Sequence, residues 1–279
     1  MNISVIIPTY NRKQYLDRAL RSVIKQTVKP AEIIVVDDGS EDGTNTFIPK
    51  NYPEVKYLWQ QNLGVSAARN RGINNAQHEW IALLDSDDEW HSDKLEQQIE
   101  ILEGEGRKRI CHTNEIWIKN GKRINQKKKH KKTGGWIYER CLPMCRISPS
   151  SVLIHQSVFD EVGLFDTDLP ACEDYELWLR ICSKYPVAFV DKPLITKYGG
   201  HSDQLSQKYW GMDRFRIYAL EKMLDSGELS EIQRQQTLKA VIKKLSIYLA
   251  GAKKRDKKSE VMHTQKKIDN YQQALARLS

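Results

Sequence analysis

Two hydrophobic periods alternate along the first hundred residues. Ser4–Ile7 and Ile33–Val36 are short, mostly apolar runs, and between them Tyr15, Leu16, Ala19, Leu20, Val23 and Ile24 recur at helical spacing. The pattern predicts strand, amphipathic helix and strand. Val55–Trp59 predicts a third strand, Val65–Ala76 a helix, Trp80–Leu84 a fourth strand and Asp93–Leu102 another helix. Strands that read as continuous apolar runs and alternate with helices imply a parallel sheet covered on both faces. Ligands of such sheets bind beyond the carboxyl ends of the strands.

Polar residues stand where that rule wants them. Pro8-Thr9-Tyr10-Asn11, Asp37-Asp38-Gly39-Ser40 and Asp85-Ser86-Asp87-Asp88 each follow directly on an apolar run. The acids gathered there would repel one another unless a cation or hydrogen-bond donors compensate them. Two ordinary readings compete: Asp37–Ser40 is also good turn chemistry, and Asp85–Asp88 could cap the helix that starts near Ser92. Phosphate-loop alternatives fail, because no GxxxxGK[ST] occurs and Gly104-Glu105-Gly106 has Arg109 where a dinucleotide fingerprint wants glycine.

Beyond residue 105 the regularity loosens. Cys111–Lys119 and Ser151–His155 predict strands, Lys127–Lys132 a charged loop ending at Gly134-Gly135, and Glu173–Ser183 a helix. Residues 204–279 predict two or three helices, with apolar positions at Ile217, Leu220 and Leu224 and then at Leu238, Ile242, Leu245 and Leu249.

Charge sharpens that division. Residues 1–203 balance at 28 basic and 28 acidic side chains, whereas 204–279 carry 16 and 8, so the whole net charge of +8 sits in the tail. The asymmetry suggests an anionic partner for the tail, such as an anionic membrane leaflet, although its helices could equally dock on the preceding domain or on another subunit. A nucleic-acid-binding module would explain the charge but leave the acids at the strand ends unexplained, so no nucleic-acid partner is expected. No apolar run reaches the length of a membrane span and Met1–Asn11 lacks the features of a signal peptide, which suggests a cytoplasmic protein, peripheral at most on the inner membrane face. Five cysteines without CxxC spacing suggest packed thiols in a reducing compartment, Cys141 and Cys145 included.

Six motifs in order and spacing carry a family resemblance: Val5–Asn11, Val35–Ser40, Asn62-Leu63-Gly64, Ala67–Asn70, Asp85-Ser86-Asp87 and Glu173-Asp174. The chain resembles the inverting glycosyltransferases of family 2, with the GT-A fold. The resemblance covers roughly residues 1–205 and implies an α/β architecture: a Rossmann-like, mostly parallel sheet flanked by helices. It divides the chain into a nucleotide-binding half (1–105), an acceptor half (106–205) and a basic helical extension (206–279).

The resemblance also implies roles. Pro8, Tyr10 and Asp38 would meet the base and ribose of a nucleotide sugar, commonly a uridine diphosphate sugar. Asp87 would reach a Mn2+ or Mg2+ ion and Asp85 the ribose or the metal; hard carboxylate oxygens suit such ions. Arg69 would face the diphosphate, Glu173 the donor sugar or acceptor, and His201 the metal or diphosphate. Asp174 would be the base that takes the acceptor's hydroxyl proton. Bland readings stand beside these: a solvated Arg69, a surface His201, and acids at Glu173 and Asp174 favoured by a helix dipole. No Gln-x-x-Arg-Trp follows Asp174, so transfer of one sugar per encounter is expected. The Lys127–Lys132 loop could meet an anionic acceptor, such as a lipid-linked glycan, or simply be solvated. The expected function is metal-dependent sugar transfer to a glycan or glycolipid in surface polysaccharide or envelope biosynthesis. The alternative is a non-catalytic protein that binds a nucleotide sugar or an anionic polymer.

Overall fold

A computed structural model describes residues 1–104, 106, 108–200, 209 and 211–278. The strands are β1 (Ile3–Thr9), β2 (Glu32–Asp37), β3 (Lys56–Trp59), β4 (Trp80–Leu83), β5 (Glu89–Trp90), β6 (Ile110–Lys119), β7 (Lys122–Ile124), β8 (Leu153–His155) and β9 (Ala188–Gly199). They form one sheet in the order β3-β2-β1-β4-β8-β6-β9-β5, with β7 paired to β6. Pairing is parallel among β3, β2, β1 and β4 and again between β6 and β9; β8 and β5 join antiparallel.

The buried strands show why their sequence lacks strict alternation. Val5 and Ile7 of β1 pack in one apolar layer with Leu16, Ala19 and Leu20 of α1 (Lys13–Ile24). Ile6, between them, belongs to the opposite layer with Ala68 and Ile73 of α3 (Val65–Asn75). Both faces are covered, so the consecutive residues Val5, Ile6 and Ile7 are all apolar. At Gly72 the helix comes so close that a Cβ would stand 2.3 Å from Ile6 Cγ2.

Three expectations from periodicity needed adjustment. The helix expected at Asp93 is α4 (Lys94–Gly104), and β5 stands between it and Asp85–Asp88, so those acids do not cap it. The twelve-residue β9 was not visible in the pattern because Asp191, Lys192 and Pro193 interrupt it. Its pairing to β6 shifts register across Thr113–Glu115, where the ladder accommodates Pro193. α2 (Thr44–Asn51), with Pro49 inside it, and the short α5 (Tyr138–Cys141) and α6 (Gln156–Val162) also lack a periodic signature.

The expected helix near Glu173 is α7 (Glu173–Lys184), and the tail forms α8 (Asp213–Asp225), α9 (Glu231–Lys254) and α10 (Lys258–Ala276). A capping box between Ser230 and Gln233 starts α9. The tail docks on the sheet domain: Ile217, Leu220, Leu238, Val241, Leu245 and Leu249 are buried in the apolar layer that holds Tyr175 and Trp178. Polar ties reinforce it. Lys222 Nζ lies 2.6 Å from Asp166 and 2.9 Å from Glu176, and Tyr138 and Thr237 hydroxyls are 2.7 Å apart. No helix among the described residues is long and apolar enough to cross a membrane.

Candidate active site

Adjacent parallel strands deliver the first group of side chains to one edge. β1 ends at Thr9, β2 at Asp37, and β4 runs into Leu84 and Asp85. Pro8 is buried in β1 opposite Val36, while Tyr10 just beyond is exposed. Asn11, between β1 and α1, holds a left-handed φ of 51°; its N–H donates to Ser40 Oγ at 2.9 Å, and its side-chain oxygen accepts from the Glu41 N–H at 2.8 Å. These bonds tie the first two loops together.

The acids at the strand ends are compensated by donors. Asp37 accepts from the Tyr57 hydroxyl at 2.5 Å and from Ser40 N–H at 2.8 Å. Asp38, 4% exposed, accepts from Gln60 Nε2 at 2.7 Å, Leu63 N–H at 2.9 Å and Gly64 N–H at 2.8 Å. It therefore shapes the 62–64 loop. Gly39 is needed beside it: its φ is +87° and a Cβ would lie 2.9 Å from Asn62 N.

Arg69, on α3, joins the two halves of the chain. Its Nη2 donates to Asp85 at 2.8 Å and its Nη1 to Glu173 at 2.8 Å, and it is 3% exposed. Burial alone would lower its pKa, but the two carboxylates raise it. The solvated reading of Arg69 does not hold. Burial pushes Glu173 up, helped by Asp174 and opposed by Arg69; at Asp85 burial likewise raises, but Arg69 together with Lys197 and Arg12 holds that carboxyl low.

Arg12, Arg18 and Lys197, which the sequence did not single out, complete the acidic turn. Arg12 forms an ion pair with Asp87, and Arg18 Nη2 donates to the Asp87 carbonyl at 2.6 Å while its guanidinium lies 3.6 Å from the Tyr198 ring centre. Asp88 is buried, accepts from Ser150 Oγ at 2.6 Å and faces Lys197 Nζ at 4.0 Å. Burial, Asp87 and Asp85 push Asp88 up against the pull of Lys197. Arg12 directly follows the Pro8–Asn11 motif, a signal that could have been used; Lys197 lies on β9 and had none.

At the start of α7 two consecutive acids face two ways. The backbone turns into the helix through Cys172, whose φ of 63° is left-handed. Glu173 is buried against Arg69, whereas Asp174 lines a separate cavity of about 770 Å³ together with Cys145 and Lys197. The Cys145 sulfur lies 3.3 Å from Asp174 Oδ2 and 3.1 Å from the Ile147 carbonyl, so one S–H proton serves two acceptors. Burial, and then Asp174, push the Cys145 thiol well up, which keeps it a donor.

The Lys127–Lys132 segment is not uniformly solvated. Lys132 Nζ is buried 2.7 Å from Glu115 Oε2, and Ser148 Oγ donates to the same oxygen at 2.5 Å. Burial alone would raise Glu115; Lys132 and Lys197 bring it down to about 2. Lys132 is therefore structural, which corrects its reading as part of a free basic loop.

No three His, Cys, Asp or Glu side chains among the described residues gather into a cation-holding set. Asp85 and Asp87 nonetheless offer hard oxygens, and Mg2+ is commonly held by one or two carboxylates with substrate phosphates and water. The residues present fit an ion that enters with a diphosphate. His201 lies outside the described residues.

Comparisons with known proteins agree with this architecture. The model for "Glycosyl transferase family 2" matches residues 4–163. An uncharacterized glycosyltransferase of Rickettsia conorii is 34% identical over 213 residues, 74% of this chain and 35% of the relative, so the chain spans about a third of that protein. A putative teichuronic acid biosynthesis glycosyltransferase of Bacillus subtilis, TuaG, is 40% identical over 106 residues, 36% of this chain and 41% of TuaG. The crystal structure of S. aureus TarS 1–349 in complex with UDP-GlcNAc superposes with a TM-score of 0.76 at 19% identity, covering 100% of this chain and 83% of that one. The sheet order, the strand-end acids and these matches lead to one conclusion: the fold is GT-A, and the chain belongs to glycosyl transferase family 2.

Proposed function

We propose that the chain is a metal-dependent, inverting, non-processive glycosyltransferase that moves a sugar from a uridine diphosphate donor to a hydroxyl of a cell-envelope glycan or glycolipid. The observation that carries the reading is the pair Glu173-Asp174. One acid is locked to Arg69 beside Asp85 and the other opens on a large cavity, so a donor side and an acceptor side meet at one helix start. The relatives supply the ligand classes: TarS was crystallised with UDP and with UDP-GlcNAc, and TuaG is named for teichuronic acid biosynthesis.

In this reading Pro8, Tyr10 and Asp38 receive the nucleoside, and Asp38 also keeps the 62–64 loop in place to enclose it. Arg69 lies where the departing diphosphate gathers charge, already desolvated and oriented, and so stabilises the leaving group without reorganisation. Asp85 and Asp87 would hold the divalent cation, which when bound neutralises the diphosphate. Asp174 accepts the proton of the acceptor hydroxyl as its oxygen attacks the anomeric carbon. Attack from the cavity side, opposite the diphosphate, inverts the anomeric configuration.

Calorimetric titration with UDP, dTDP and GDP, each with and without manganese, tests the donor assignment. Manganese-dependent binding of UDP above the other two is expected; binding of none would leave a non-catalytic role. Anomeric NMR of the product with a UDP-sugar and a glycan acceptor tests inversion, and a retained configuration would remove Asp174 from its role.

A further inference from the structure

The cavity in front of Asp174 is walled by the tail as well as by the GT-A domain. Lys243 and Lys244 come from α9, Arg216 from α8, Arg146 from the loop before β8, and Lys197 from β9. Its acids other than Asp174 are already paired with cations. Glu115 is bound to Lys132 and Ser148, and Asp213 lies 3.0 Å from Arg216 and 3.1 Å from Lys244. Lys197 is shared with the acidic turn through Asp88.

Three cations of the lining, Lys129, Arg146 and Lys243, have no carboxylate partner among the described residues. The Arg146 guanidinium donates to the backbone carbonyls of Arg140, Lys129 and Lys131, and Lys243 is exposed with no ion pair. Beside them, His130 Nδ1 is buried without a hydrogen-bond partner. Burial, Lys129 and Arg146 all disfavour a charge on that ring, a sign of how much positive field this wall carries. Uncompensated cations around a concave, partly desolvated space favour an anion.

We propose that this cavity is an acceptor subsite that selects an acceptor bearing a phosphate or carboxylate near its reacting hydroxyl, and that Lys243 and Arg146 grip the anionic group. The helical extension then completes the active site. Its surplus charge is turned towards the substrate at this point, and the apolar walls formed by Trp117, Leu142 and Ile247 receive the uncharged part of the acceptor. This rests on the transferase reading above, which supplies the hydroxyl that Asp174 faces.

Full-length protein saturated with UDP and manganese is titrated with glucose 6-phosphate, glucuronic acid and glucose. Both anions, or one of them, should bind at least roughly tenfold more tightly than glucose, the size of a charge-assisted contact, and the comparison identifies the group. Lys243→Ala and Arg146→Ala should each remove most of that preference, Lys243→Arg should keep it, and UDP affinity should stay unchanged in all three. Because Lys243 is exposed, its substitution leaves the fold intact. Equal binding of glucose and the anions, or an anion preference that survives both alanine variants, would overturn the subsite. Failure of the wild-type protein to bind UDP would instead overturn the donor reading, and the anion titration, repeated without UDP, would still stand or fall on Lys243.

Discussion

The two sides of the candidate site solve the problem of concentrated charge in opposite ways. On the proposed donor side, acids from the ends of β2 and β4 and from α7 are neutralised by donors: buried Arg69 spans Asp85 and Glu173, half-buried Arg12 pairs with Asp87, and Gln60 with the Leu63 and Gly64 N–H groups satisfies Asp38. In the cavity proposed as the acceptor side, basic residues outnumber the acids that could pair with them, and Lys243 and Arg146 stay without carboxylates among the described residues. A buried pair holds geometry, whereas an unbalanced, open wall is suited to a ligand. On the proposed donor side the charges are thus already fixed by partners, and on the proposed acceptor side they stay open to a ligand.

The variants that break this comparison most sharply act at its boundary. Asp174→Asn should lower turnover by about 10²–10⁴, the usual worth of a general base, with UDP affinity unchanged in calorimetry; comparable loss of UDP binding would move Asp174 to the donor side. Arg69→Ala should cost about 3–5 kcal/mol in denaturant unfolding, because Asp85 and Glu173 are left buried without their partner. Adding Glu173→Gln to that variant should recover part of the loss, which separates charge from packing. Asp38→Asn should cost about 1–3 kcal/mol, the price of leaving a buried N–H in the 62–64 loop unmatched, and should weaken UDP binding. An unaltered UDP affinity would reduce Asp38 to a purely structural role.

The smallest effect is expected away from both sides. Lys94 is fully buried, donates to Gln98 Oε1 at 2.7 Å and lies 3.9 Å from the Trp90 ring centre. Burial lowers its pKa to about 7. Since the folded protein then binds fewer protons than the unfolded chain between that value and the ordinary lysine range, this group makes stability rise with pH across that window. Lys94→Met should therefore raise Tm at pH 6 and gain less by pH 10, as followed by thermal unfolding. A gain independent of pH would mean that lost packing or hydrogen bonding, not ionisation, governs the site.

Legibility in the sequence follows the same division. The first hundred residues were readable because β1, β2 and β4 are short, largely buried apolar runs, the polar motifs begin where those strands stop, and helices link the successive parallel strands. Beyond residue 105 the chain was less so. Twelve residues of β9 are broken by Asp191-Lys192-Pro193, and Lys132, Cys145, Lys197 and Lys244 carry no motif of their own. Lys132 and Lys244 look alike in sequence to the exposed lysines around them, yet burial commits them to Glu115 and Asp213.

The sequence by itself determined the alternation of strands and helices, the acids at the strand ends and the basic surplus of the tail, because periodicity and composition are local quantities. Only the tertiary structure decided that Arg69 is shared between Asp85 and Glu173, that Glu173 and Asp174 face different spaces, and that the tail closes a cavity instead of standing apart. Those outcomes depend on which distant side chains are desolvated together. Electrostatic pairing is strong only where water is excluded, and water is excluded only once the chain has packed.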